Sequence, residues 1–80
     1  MANHDVLSPL PGTFYRRPSP DAAPFVNEGD AVKVGDIVGL VEVMKTFNEV
    51  HADASGTVVR ILVDNEAPVE AGQALMAIQG

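Results

Sequence analysis

Residues 37–52 read IVGLVEVMKTFNEVHA. Seven of them, Ile37, Val38, Val41, Val43, Thr46, Phe47 and Val50, are the β-branched or aromatic types that fit a pleated, half-buried surface. From Leu40 onward the run lies in the chain's longest window without Gly or Pro, Leu40 to Ser55. It reads as a β-hairpin with Met44-Lys45 at its centre. Pairing outward from that centre puts Ile37, Gly39, Val41, Val43, Thr46, Asn48, Val50 and Ala52 on one face. Val38, Leu40, Glu42, Phe47, Glu49 and His51 fall on the other. The first face is the more apolar and is the expected core face. Two-residue hairpin turns favour Asn-Gly, Asp-Gly or Gly-X, because their central residues take positive φ. Met44-Lys45 offers none of these. Either the turn is looser, or local preference yields to function at the tip.

Outward from the hairpin, the chain repeats itself. Val32-Lys33-Val34-Gly35-Asp36 and the apolar run after it resemble Val69-Glu70-Ala71-Gly72-Gln73 and its following run, at an offset of 37 residues. Gly12-Thr13-Phe14-Tyr15-Arg16 resembles Gly56-Thr57-Val58-Val59-Arg60, at an offset of 44. The difference of seven falls in RPSPDAAPFVNEG, where the prolines cluster. Two similar halves predict two similar sheets about a pseudo-two-fold axis, joined by the hairpin, with a proline-stiffened loop in the first half. Short apolar runs at Thr57–Val63 and Ala74–Ile78, bounded by turn signals at Asn27–Gly29, Gly35–Asp36, Ser55–Gly56, Asp64–Asn65 and Gly72, predict an all-β sandwich or barrel.

Composition narrows the function. Eighty residues make one small domain, 46% hydrophobic and 20% charged, which favours a packed globule over disorder. The absence of cysteine removes disulfides, thiolate metal sites and cysteine nucleophiles, and points to a reducing cytoplasm. A formal charge of -6 disfavours a nucleic-acid partner. No apolar run approaches the ~20 residues that span a bilayer, and MANHDVLSPLPG has no signal-peptide pattern. So small a chain suits a carrier or adaptor better than an enzyme. His4 and His51 have no partner at ligand spacing, and Ser8, Ser19 and Ser55 fit turns, so neither a metal site nor a catalytic residue is expected.

Lys33 and Lys45 are the only lysines. Lys33 precedes Gly35-Asp36 and reads as a solvated turn residue. Lys45, at the tip and away from Glu42 and Glu49, reads either as a solvated lysine or as one held out for acylation.

The sequence Glu42-Val43-Met44-Lys45-Thr46 resembles the biotinyl-lysine motif of biotin carboxyl carrier domains, whose usual form is Glu-Ala-Met-Lys-Met. Ser8-Pro-x-Pro-Gly-Thr-Phe-Tyr-Arg16, Pro18-Ser-Pro-Asp-Ala22, Ser55-Gly-Thr-Val58 and Pro68-Val-Glu-x-Gly72 carry the resemblance along nearly the whole chain, toward the acetyl-CoA carboxylase type. Val43 and Thr46 depart from the usual alanine and second methionine. The resemblance implies a flattened barrel of two four-stranded antiparallel sheets, with biotin joined to Lys45 by a biotin protein ligase. Glu42, Val43, Met44 and Thr46 are the implied flanking contacts. It further implies shuttling of a carboxyl group from biotin carboxylase to carboxyltransferase by a domain that is not itself catalytic. Pro18, Ser19, Pro20, Asp21, Ala22, Ala23 and Pro24, within a loop at about 17–25, match the family's thumb and are expected to touch partners. Residues 1–6 are expected as a tail and 7–80 as the carrier domain. The opening Met1 suggests a stand-alone protein.

Three alternatives stay open. One is a carrier for another acyl-CoA or a urea-type acceptor. Another is a lipoyl carrier, which Met44 before Lys45 disfavours. The third is an unmodified β-sandwich interaction module.

Overall fold

A computed structural model describes residues 3–80. Eight strands follow in order: β1 (Asn3–Leu7), β2 (Gly12–Tyr15), β3 (Ala31–Val32), β4 (Ile37–Val43), β5 (Thr46–His51), β6 (Gly56–Ile61), β7 (Ala67–Val69) and β8 (Ala74–Gln79). They form two four-stranded antiparallel sheets, β1-β8-β6-β3 and β5-β4-β2-β7. Exchanging β1 with β5, β2 with β6, β3 with β7 and β4 with β8 turns one order into the other. This is the pseudo-two-fold that the sequence repeat predicts.

The repeat works because equivalent positions solve equivalent problems. In the turn after β3, the Asp36 N–H donates to the Lys33 carbonyl at 3.0 Å, and the Asp36 carboxylate accepts from the Lys33 N–H at 2.9 Å. After β7, the Gln73 N–H donates to the Glu70 carbonyl at 3.1 Å, and Gln73 Oε1 accepts from the Glu70 N–H at 2.9 Å. Asp and Gln are interchangeable here because each offers a side-chain oxygen. The third residues, Gly35 and Gly72, have φ of 96° and 84°, a region that glycine enters without a Cβ clash. Gly12 and Gly56 match for another reason. A Cβ would strike the Glu42 carbonyl oxygen at the first and the Gln79 carbonyl oxygen at the second.

The core lies between the sheets. Val6, Val32, Val58, Leu75 and Ile78 from one meet Phe14, Val38, Val41, Val50 and Val69 from the other, and all are buried. Val26, from the irregular connection between β2 and β3, joins the same cluster.

Two expectations need correction. Residues 3–6, expected as part of a tail, belong to β1, which pairs with β8 from Asn3↔Gln79 to Val6↔Met76 and buries Val6. Met1 and Ala2 lie outside the described residues. In the hairpin, the expected pairing holds from Val43↔Thr46 to Gly39↔Val50, and then a bulge shifts Ile37 onto His51. The extra residue reverses the facing beyond it. Val38 therefore enters the core, and Ile37 is only half-buried.

Candidate functional site at the β4–β5 turn

The β4–β5 ladder closes at Val43↔Thr46, so Met44 and Lys45 alone make the turn. Both have positive φ, 50° and 67°. This is the left-handed pair demanded by a type I′ turn, whose twist matches that of the flanking strands. Neither residue is glycine or asparagine, so the conformation costs roughly 1–2 kcal/mol at each. The strands below offset it. Val43 packs against the core. Asn48 Nδ2 donates to the Val41 carbonyl at 3.2 Å and to the Thr46 carbonyl at 3.3 Å, tying the two strands together just below the tip.

The result is a lysine held out from a rigid base. Lys45 and Thr46 are exposed, and Met44 is 92% exposed. Among the described residues Lys45 makes no ion pair. Its amine has no partner to give up before acylation, and no wall of the fold encloses it. This arrangement suits a covalently attached group.

Glu42, three residues before Lys45, is half-buried and fixed from β2. The Tyr15 hydroxyl donates to Glu42 Oε1 at 3.0 Å. The hydrogen bond to Glu42, then burial, then the charges of Glu42 and Glu66 push the Tyr15 phenol above its ordinary 10.0. The Tyr15 ring also leans on Phe47, across the ladder from Glu42, with centroids 5.6 Å apart and planes at 59°.

The proline-rich connection approaches this face. The Phe25 N–H donates to the Arg16 carbonyl at 2.8 Å, closing its base, and Arg16 Nη2 donates to the Val26 carbonyl at 3.2 Å. A cleft of about 110 Å³ lies between Pro18, Ser19 and Pro20 on one side and Tyr15, Phe47 and Glu66 on the other. Asp21, Ala22, Ala23 and Pro24 do not line it.

Of the expected residues, Glu42 to Thr46 converge on the tip, and the first part of the loop reaches the same face. Tyr15, Phe47 and Asn48 were not anticipated as part of the site. One signal for Tyr15 exists in the repeat, where an aromatic stands opposite Val59. Among the described residues no group of three His, Asp or Glu could hold a metal, and no helix is long and apolar enough to cross a membrane.

The fold and its turn define a class: a two-sheet β-barrel that presents one lysine on a strained hairpin. The chain belongs to the family described as "Biotin-requiring enzyme", whose model matches residues 4–78. It is 51% identical, over 94% of its length, to the biotin carboxyl carrier protein of acetyl-CoA carboxylase from Nostoc sp., and covers 41% of that protein. The protein of the same description from Pseudomonas aeruginosa is 52% identical over 91% of this chain and 47% of its own length. The chain thus spans about half the length of the curated relatives it matches. Among solved structures, the Kluyveromyces lactis urea carboxylase superposes with a TM-score of 0.79 at 33% identity, over 99% of this chain and 6% of that one.

Proposed function

We propose that this chain is a biotin carboxyl carrier, a non-catalytic component of an acetyl-CoA carboxylase. It would carry biotin on Lys45 between biotin carboxylase and carboxyltransferase. The observation that carries this reading is the Glu42–Thr46 segment, folded as a two-residue turn with Lys45 exposed on left-handed backbone. The named relatives in Nostoc and Pseudomonas support the same reading.

Biotin protein ligase is the modifying partner. Lys45 Nζ attacks the acyl carbon of biotinyl-adenylate. The new amide bond forms as the bond to phosphate oxygen breaks; AMP leaves and the amine loses a proton. Lys45 would hold the biotin, whose ureido nitrogen would supply the attachment point for a carboxyl group drawn from bicarbonate with ATP. The barrel keeps the lysine outside both sheets, so each partner enzyme meets the carried group at a high effective concentration. Pro18 to Pro24 act as a thumb that touches partners. The absence of cysteine supports a cytoplasmic setting.

Intact mass tests the assignment. After incubation with ligase, ATP and biotin, the chain should gain one biotin; with lipoate and its ligase it should gain nothing. No biotin increment, or a lipoate increment, overturns the reading. A urea-type acceptor is the second reading, supported by the likeness to the K. lactis urea carboxylase. Carboxylation assays with acetyl-CoA and with urea separate the two.

A further inference from the structure

We propose that Tyr15 is a positioning residue for lysine modification: it holds Glu42 in the orientation that the biotin protein ligase reads beside Lys45. The proposal rests on the carrier reading above.

Three observations converge on it. Tyr15 and Glu42 stand on adjacent strands, with Thr13 opposite Glu42, so the phenol reaches the carboxylate across the sheet. Only Oε1 is engaged, and the second oxygen has no hydrogen-bond partner among the described residues. The carboxylate is thus fixed in direction yet left with an acceptor for an incoming donor. The Phe47 ring, 55% exposed, leans on Tyr15 from the strand that leaves the tip. One phenol therefore touches both strands that carry Met44 and Lys45.

The other half of the barrel is the internal control. By the offsets of 44 and 37, Tyr15 corresponds to Val59, Glu42 to Gln79 and Phe47 to Asn3. The registers correspond too: Glu42↔Phe47 matches Asn3↔Gln79, and Thr13↔Glu42 matches Thr57↔Gln79. That half builds the same sheet with no hydrogen bond among those three side chains. The trio is therefore not a requirement of the fold. It occurs at the end that bears the lysine and is missing where the equivalent strands bear none. The Glu42 contact also favours the protonated phenol, so the donor persists throughout the neutral range.

The test combines ligase kinetics with a titration. Biotinylation is measured with a biotin protein ligase, ATP and biotin while the domain concentration varies, for the parent, Tyr15→Phe, Glu42→Ala and the double variant. The proposal expects Tyr15→Phe to melt within a few degrees of the parent. It expects KM for the domain to rise about tenfold, on the scale of one hydrogen bond to a charged group, with kcat within about twofold. The double variant should be no worse than Glu42→Ala, because Tyr15 acts through Glu42. Tyr15 is the only tyrosine, so ultraviolet titration reads it directly. Its midpoint should lie above 10.0 in the parent and return toward 10.0 in Glu42→Ala. An unchanged KM in Tyr15→Phe, additive losses in the double variant, or a parent phenol that titrates at its ordinary value each overturns the proposal alone. A parent that takes no biotin overturns the carrier reading and this proposal with it.

Discussion

Met44 and Lys45 share a backbone state that neither side chain favours, and they share it because a two-residue turn between twisted strands demands it. The conformation adds nothing to stability, so replacing Met44 by a residue at ease there should help the fold. Met44→Asn is expected to stabilise the domain by ~1 kcal/mol, read as a rise of several degrees in melting temperature. The carrier reading expects the same variant to be biotinylated more slowly, through loss of the proposed contact between Met44 and the ligase. A lower melting temperature would mean that Met44 packs against something. Tyr15 gives a second expectation at this scale. Its folded pKa is raised, so the protonated phenol is favoured in the native state. The stabilising contact is fully present below pH 10 and is lost as pH rises through the raised value. Melting temperature should therefore fall more steeply above pH 10 in the parent than in Tyr15→Phe.

At the scale of elements, the connection between β2 and β3 divides into parts with different jobs. Arg16 and Phe25 close its base and Val26 reaches the core, whereas Pro18 to Ala23 contribute no core residue. Replacing Pro18 through Pro24 with a short Gly-containing turn should leave a folded domain that still takes biotin, while carboxyl transfer between partner enzymes slows. An unfolded product would show the segment to be structural. The turn after β6 makes a matching point. Glu66 sits at φ 68°, where its counterpart by the offset of 37 is Gly29 at φ 96°. Glu66→Gly should raise the melting temperature by a few degrees, since it removes the left-handed penalty. Legibility in the sequence follows the same physics. The hairpin register could be read outward from its turn because strand faces alternate strictly. It failed at the bulge because Ile37 and Val38 are both β-branched and apolar, so the pattern cannot say which turns inward. β1 escaped notice because NHDVL holds a single residue that the core buries. The left-handed tip stayed open between a looser turn and a strained one, because Met-Lys carries no turn signature. The Tyr15–Glu42 contact joins residues 27 apart, beyond any local pattern.

The whole molecule is one barrel used asymmetrically. Its pseudo-two-fold relates the lysine hairpin to the ends of β1 and β8, which pair with each other at Asn3↔Gln79. The core is complete without any carried group, so apo and biotinylated forms should melt within a few degrees of each other. The central claim is that Lys45, and no other amine, is the point of attachment. Lys45→Arg keeps the charge but removes the acylable amine, and Lys33→Arg makes the same change in an ordinary turn. Streptavidin blotting after ligase treatment, with peptide mapping of any modified site, compares the two. Lys45→Arg should fold and take no biotin, and Lys33→Arg should match the parent; biotin on Lys33, or biotin still attached to Lys45→Arg, would contradict the account.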